Sequence, residues 1–302
     1  MKKKGFLYYL NRDKWLYLLL LPSLVYYFLF KYLPIGGLAM AFQDYNMFKG
    51  LWNSEWVGFD VFKKIIGSKN FWLSVKNTLV LNMLVLVVSF PLTIILSLIL
   101  NEIRSVSYKK VVQSILYLPY FISWVIVSGL VKNLFAADGS INALLGQIGI
   151  RPISFLGDNG WWMFTYVLSH LWKGLGWGTI IYLAALSGVD ESLYEAACLD
   201  GATKFQRIIY ITLPSIKSVI ITMLLLNISS LMSIGIEAPL LLGNDKVFEV
   251  SDVISTYTYR LGIERARYSE ATAIGLFQSV VNIIILFAAD KCAKLMGEEG
   301  II

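Results

Sequence analysis

A single histidine in 302 residues leaves no way to assemble a multi-histidine metal site, and no HExxH or CxxC spacing offers another. No metal is expected on this chain. Cysteine is nearly as scarce: Cys198 and Cys292 are the only two. The topology argued below puts both on the cytoplasmic side, where thiols stay reduced, so no disulfide is expected and Cys198 reads as a small helix-packing residue. Charge is thin too. Only 15% of residues are charged against 57% hydrophobic, and the mean hydropathy is +0.66, which excludes an ordinary soluble domain and places the chain in a bilayer. No GxxxxGK[ST] loop is present. The run Gly174-Leu175-Gly176-Trp177-Gly178-Thr179 lacks the phosphate-binding lysine and lies in an apolar span, and there is no GxSxG elbow. The chain therefore has no means of hydrolysing ATP, no catalytic residues and no cofactor of its own. Its net charge of +6 is not gathered into a basic patch interleaved with aromatics, so no nucleic-acid partner is expected.

What the chain does have is apolar length. A hydrocarbon core about 30 Å thick needs roughly 20 apolar residues per helix. Six stretches meet or approach that, between Lys14 and Lys31, Lys76 and Glu102, Lys110 and Lys132, Asp158 and Asp190 (interrupted by Lys173), Lys217 and Glu237, and Glu270 and Asp290. None shows the alternation of a membrane barrel, so all six are predicted to be helices. The first follows Lys2-Lys3-Lys4 but is not followed by a small-residue cleavage site, which favours a retained helix over a signal peptide. Five basic residues precede that helix, and the shorter loops that would share its side carry Lys and Arg at higher density, so both termini are placed inside. Trp15 then falls at the inner interface and Trp72, Trp161 and Trp162 at the outer one. The segments 31–70, 132–160 and 237–270 become outer loops, too short to be independent enzymes.

The cytoplasmic loop 189–214 reads as two short helices. Asp190 can cap the first, from Glu191 to about Leu199, and Gly201 breaks it. Thr203 and Gln206 form a capping-box pair for the second, whose Phe205, Ile208, Ile209 and Thr212 share one face, and Pro214 opens the next span. Spacing alone leaves open an ordinary amphipathic connector on the inner leaflet. The string EAACLDGATKFQRIIYITLP resembles the cytoplasmic coupling motif of binding-protein-dependent ATP-binding-cassette importer permeases: Glu-Ala-Ala, two residues, Asp-Gly-Ala, then a later Leu-Pro. AFQDYN (41–46), EWVGFDVF (55–62), WKGLGWGTIIYLAALSGVD (172–190) and SDVISTYTYR (251–260) resemble the carbohydrate-uptake class, in particular the lipoprotein-dependent oligosaccharide permeases of Gram-positive bacteria.

The resemblance implies an all-α integral membrane protein of the type I importer fold. It would be a single permease domain over 1–302 in a bacterial cytoplasmic membrane, paired with a homologous second permease. Two ATPase subunits would supply ATP and Mg²⁺, and an extracytoplasmic solute-binding lipoprotein would deliver an oligosaccharide, neutral or uronic-acid-containing. It further implies that the loop helix sits in a cleft of an ATPase. There Glu195 would face polar groups of the ATPase, Ala196 and Ala197 would allow close approach, Gly201 the sharp turn, and Asp200 a cap or pair within the loop; Ala202, Leu213 and Pro214 complete the motif. The outer segments 31–70 and 237–270, the latter with Glu264, Arg265, Arg267 and Glu270, would receive the binding protein.

Candidate pathway residues follow from polar groups inside spans. Tyr166, His170, Lys173 and Trp177 form one stripe, with Gly174 and Gly178 on a neighbouring face suited to close helix packing. The stripe reads either as a cavity lining, with Trp177 stacking on a sugar ring and Lys173 binding hydroxyls or a carboxylate, or as hydrogen-bonding links between helices. Asn227, at a depth like that of Lys173, would share a face with Ser230, Ile234 and Glu237, the last at the outer mouth. Asn82, Gln278 and Asn282 are further buried polar candidates, for which bonds across helices are the commoner role. The alternative to an ATP-driven permease is an ion-coupled secondary sugar transporter with Lys173 and Glu237 as charge relays. An outward carboxylate cluster (Glu237, Asp245, Glu249, Asp252), read as catalytic, is explained more simply by loop solvation.

Overall fold

The computed structural model describes residues 12–295, which fall into two compact, mostly helical units, 12–67 with 261–276 and 68–260 with 277–295. In the first unit, α1 (Lys14–Tyr27) runs on through a π turn (Phe28–Tyr32) and 3-10 turns (Leu33–Phe42), a helical stretch of 29 residues in which Lys31 is the single charge after Lys14. Pro34 explains the change of winding. It has no N–H for the Phe30 carbonyl and its ring would crowd that oxygen, so the turn before it widens, with Leu33 N–H reaching back five residues to Phe28. A two-stranded antiparallel ribbon follows, β1 (Gln43–Asp44) with β2 (Glu55–Trp56), pairing Gln43 with Trp56 and Asp44 with Glu55. Next comes the short helix α2 (Asp60–Ile66).

The second unit is organised by two long helices packed along one another, α3 (Lys69–Asn101) and α7 (Asn159–Leu186). At 33 residues α3 is about 50 Å long, ample to cross a bilayer. Buried hydroxyls on the pair bond to their own helix: Thr78 to Ser74 O (2.7 Å), Ser97 to Thr93 O (2.7 Å), Ser169 to Thr165 O (2.7 Å) and Thr179 to Gly176 O (2.7 Å). That satisfies them without water. Between α3 and α7 lie α4 (Val106–Tyr117), a 3-10 turn (Leu118–Phe121), α5 (Trp124–Phe135) and α6 (Ser140–Gln147). After α7 come α8 (Glu191–Leu199), α9 (Lys204–Arg207), a second π turn (Ile208–Thr212), Leu213–Ser215, α10 (Lys217–Ser229), α11 (Glu237–Leu242) and α12 (Ile254–Tyr259). The last helix, α13 (Tyr268–Leu295), begins in the first unit and ends in the second, where Ala289 and Ala293 pack on Leu225 of α10.

Two predicted spans are not continuous helices. The third breaks at Ile122–Ser123, just after the 3-10 turn that holds Pro119, and its arms, Val106–Phe121 and Trp124–Gln147, meet at 97°. The fifth helix stops at Ser229, so Ile234 and Glu237 lie beyond it rather than on its face. Pro214 does not open that helix. It sits in the last turn of the loop helix, which meets α10 at 65°. Among the described residues three helices are long and apolar enough to cross a membrane, and five if each bent pair is one span. α7 has the length, but its Trp, Tyr, His, Lys and Gly residues leave it less apolar. Trp162, expected at the interface, is buried in a core with Leu81, Val127, Tyr166 and Leu242, its indole N–H donating to Leu242 O at 2.9 Å. Trp161 remains exposed.

Candidate functional site

The 189–214 loop is held together by local bonds of the kinds its sequence predicts. The Asp190 carboxylate accepts the Ser192 backbone N–H at 2.9 Å, capping α8 and holding that carboxyl below its ordinary value. At the other end Gly201 adopts φ +75°. Its N–H bonds Cys198 O (3.1 Å) and the Ala202 N–H bonds Ala197 O (2.9 Å), the two bonds of a Schellman turn. Thr203 and Gln206 form a reciprocal capping box. Pro214 follows a π turn just as Pro34 does, with Leu213 N–H reaching Ile208 O. Across the loop, Tyr194 OH lies 3.0 Å from Thr212 Oγ1.

This frame turns Glu195 and Ala196 outward and leaves Leu193, Leu199, Phe205 and Tyr210 exposed, with Ala197 and Ala202 half-buried. Asp200 makes no intraloop pair. It sits at the C-cap, its backbone N–H on Ala196 O (3.0 Å), and its carboxylate has no described partner, since the turn is closed by backbone groups alone. Cys198 is not packed against a helix either. It is exposed, its sulfur 2.9 Å from an Arg207 guanidinium nitrogen. Both cysteines are free thiols.

The break after Pro119 is closed by Lys173. Its ammonium donates to Tyr120 O at 2.7 Å, to Ile122 O, and to Pro119 O at a long 3.4 Å, and it lies 5.7 Å from the ring centres of Tyr120 and Trp124. A cation belongs there, because a helix end leaves carbonyls unpaired and carries partial negative charge. Two short bonds and one long one tie the ammonium to backbone carbonyls, so Lys173 links helices in this geometry while its side chain also borders a cavity. Trp177 is engaged too. Tyr120 stacks flat on it at 4.5 Å and Phe121 meets it edge-on, so that face is closed to a sugar.

The second break, 230–236, is held in the same way by amides. Asn82 Nδ2 donates to Leu231 O (2.7 Å) and Ser233 O (3.2 Å), Gln278 Nε2 to Met232 O (2.7 Å), and Asn282 Nδ2 to Ser233 Oγ (2.9 Å). Non-helical backbone at membrane depth persists only where such partners or a cavity receive it. Asn227 bonds its own helix at Met223 O (2.7 Å).

Three cavities lie beside these breaks and between α3, α7 and α10. One of about 320 Å³ is lined by Tyr120, Trp124, His170, Lys173, Gly235 and Glu237. A second of about 290 Å³ is lined by Ser89, Phe90, Thr93, His170, Tyr182 and Asn227. A smaller one of about 100 Å³ lies between Asn82, Asn227 and Ser230. His170 lines the first two and Asn227 the last two, whereas Trp177 and Gln278 line none of the three. His170 Nδ1 lies 3.1 Å from Tyr166 O, its ring between Trp124 and Tyr166. Sequence reasoning missed Tyr120, Trp124, Phe90 and Tyr182. The signal for the first two was Pro119 among aromatics in mid-span. Of the two glycines it chose for close packing, Gly178 does meet a neighbouring helix, a Cβ there lying 3.0 Å from the Thr93 methyl of α3, but Gly174 has open space at its Cβ position, and it missed Gly176, whose Cβ would lie 2.0 Å from Leu116 O.

Two acidic groups expected in solvated loops are instead buried. Asp252 takes two bonds from the Arg260 guanidinium (3.0 and 2.7 Å) and one from Thr256 Oγ1 (2.9 Å). Glu270 pairs through Oε1 with Lys64 at 2.9 Å and with Arg267. Among the described residues no group of three His, Cys, Asp or Glu could hold a metal.

Residues 89–296 match the model of a protein family described as the binding-protein-dependent transport system inner membrane component. The chain belongs to that family. It is a membrane permease, a transport component and not an enzyme. The permease is 46% identical to the protein LplB of Bacillus subtilis over 97% of its own length and 92% of that protein's. It is 44% identical to the polygalacturonan/rhamnogalacturonan transport system permease YteP of the same organism, over 99% and 94%. A crystal structure of a bacterial alginate ABC transporter, in complex with its alginate pentasaccharide-bound periplasmic protein, contains a chain 39% identical to it. The two superpose with a TM-score of 0.89 over 99% of the permease and 100% of that chain. The permease therefore has the type I importer fold.

Proposed function

We propose that this permease carries an acidic oligosaccharide through a path made of the three cavities, as one half of an ATP-driven importer. Its relatives' substrates, polygalacturonan/rhamnogalacturonan and alginate, support an acidic sugar polymer. The observation that carries the reading is the pair of larger cavities along α7, with the smaller one adjoining at Asn227. Their aromatic faces (Tyr120, Trp124, Phe90, Tyr182) suit sugar rings, and their amide, hydroxyl and imidazole edges suit sugar hydroxyls. In this reading the single permease domain has six spans with both termini in the cytoplasm. The bent third and fifth spans count as one each, and α7 crosses despite its polar stripe. His170, Asn227 and Glu237 contact substrate; Lys173, Asn82 and Gln278 hold the breaks that shape the path; Trp177 backs Tyr120.

The 189–214 loop docks on a separate ATPase, with Glu195, Ala196 and Ala197 at the contact and Gly201, Ala202, Leu213 and Pro214 fixing its shape. A homologous second permease, two ATPases holding ATP and Mg²⁺, and a substrate-binding lipoprotein complete the assembly. Closure of the ATPases moves the loop and switches access to the path. The test is uptake by the reconstituted assembly. Glu195→Lys should abolish ATP-driven uptake while the permease still folds and pairs. Uptake that survives ATP depletion but collapses with an ionophore would instead reveal ion coupling.

A further inference from the structure

The first unit carries an apolar surface that neither the loop nor the cavities use. The helical stretch from Lys14 ends at Phe42, whose carbonyl accepts backbone N–H groups from Val57 (2.9 Å) and Gly58 (3.0 Å). Its ring packs against Phe59 at 5.5 Å and Phe62 at 5.3 Å. The segment is thus fastened to the last residue of a membrane span. The loop between β1 and β2 is equally well tied. Buried Gln43 donates to Leu51 O (3.0 Å), Asn46 Oδ1 accepts Phe48 N–H (2.9 Å), and Ser54 Oγ accepts Asn46 N–H (3.0 Å) while donating to Gly50 O (2.6 Å). What this frame presents is apolar: Phe48 is 99% exposed and Trp52 91%, with Met47, Trp56 and Phe59 exposed beside them. So many exposed large apolar side chains within thirteen residues mark an interaction surface.

We propose that residues 43–62 are an interfacial anchor, seated in the headgroup region of the bilayer with Phe48, Trp52 and Trp56 at the acyl boundary. Two observations select lipid over a protein partner. The first is continuity with the membrane-embedded surface: the bonds to Phe42 hold the patch at the end of the span. The second is composition. Tryptophan and phenylalanine, with exposed Lys49 among them, are residues that membrane–water interfaces select. The proposal rests on the chain being a membrane component, not on its substrate or on which face Phe42 reaches.

Spin labels on the full-length permease in liposomes test it. Phe48→Cys, Trp52→Cys and Glu55→Cys are made in a Cys198→Ser, Cys292→Ser background. Labels at 48 and 52 should relax more with oxygen than with a water-soluble nickel complex, and the label at 55 the reverse. Nickel accessibility at 48 and 52 equal to that at 55 overturns the proposal. So does accessibility that falls only when the substrate-binding protein is added, which would make the patch a protein dock. The unmodified permease gives a second reading: hydroxyl-radical oxidation of Met47, Phe48 and Trp52 should be suppressed in liposomes without any partner, and oxidation as fast as that of an exposed soluble peptide refutes the anchor.

Discussion

Replacing Lys173 by methionine keeps the length of the side chain and removes its three donors. Each hydrogen bond from a charged donor is worth about 1.5–3 kcal/mol net. The Pro119 contact is too long to count for much, so the two bonds to Tyr120 and Ile122 set the scale, about 3–6 kcal/mol in a dry site. The site is not dry, because Lys173 borders a cavity of about 320 Å³ that has room for water to take over part of the carbonyl satisfaction. That halves the loss to about 1.5–3 kcal/mol, roughly a 12- to 150-fold shift against the bent form of the third span. The bend exists whatever sugar is bound. Transport of a neutral and of a uronate oligosaccharide should therefore fall by the same factor in Lys173→Met, with a lower thermal midpoint, and Lys173→Gln, which keeps two donors, should recover part of both. Uptake of the paired substrates in proteoliposomes, together with thermal unfolding of the purified permease, decides it. If uronate uptake alone collapses while neutral uptake and the midpoint hold, Lys173 meets a substrate carboxylate and the capping argument is wrong.

Gly176→Ala puts a methyl group 2.0 Å from Leu116 O, so α4 and α7 must separate, at a cost of about 1–3 kcal/mol or more. Wild-type thermal stability in that variant would refute the close approach. Asn82→Leu and Gln278→Leu each strip a donor from the 230–236 break and should cost about 1–3 kcal/mol apiece. Because both hold one segment, their double mutant should be non-additive in unfolding experiments. Gly201→Val forces a β-branched residue into φ +75°, with open space around it, so strain alone should unwind the Schellman turn. ATP-driven uptake should fall while the permease's own thermal midpoint barely moves. Asp190 titrates below its ordinary value, so its cap is fully present above the unfolded pKa of about 3.9 and is lost as pH falls through the lowered one. The protection factor of the first-turn amides of α8, which corrects for the intrinsic pH dependence of exchange, should fall in acid in the wild type and stay constant in Asp190→Asn.

What could be read from sequence was what depends on near neighbours. Asp190, Gly201 and the Thr203–Gln206 pair act within four residues of themselves, so their roles are written in the local string. The breaks in the third and fifth spans are not local. Pro119 in an apolar run fits a kinked helix as well as a right-angle turn, and the choice falls to Lys173, 54 residues away, which supplies the carbonyls' partners. Hydropathy counts apolar residues and does not register where the backbone leaves the helix. Gly174 fails for a related reason, although Gly178 does pack closely on Thr93 of α3. Spacing shows that Gly174 and Gly178 share a face, but which glycine meets another backbone depends on where α4 crosses, and it crosses at Gly176.

The same distinction bears on how the loop could transmit a push. Its two limbs are tied by Tyr194 to Thr212 and by the Schellman turn and capping box between them, so under load it should move as one piece. Its weakest covalent exit is the 65° corner at Ile216, yet the hydrogen bonds continue through that corner: Ile216 N–H to Thr212 O and Ile220 N–H to Ile216 O, around a side chain that is itself buried. Its link to α3, Lys204 to Glu102 at 3.5 Å, is between exposed side chains and should carry little. Displacement of the loop should therefore reach α10 first, and through α10 the Asn227 wall of the path. A proline at Lys217, which leaves the docking face untouched but disfavours the ψ of 10° that Ile216 adopts at the corner, should separate ATP hydrolysis from transport. Hydrolysis that stays coupled to uptake in that variant would show that force travels by another route.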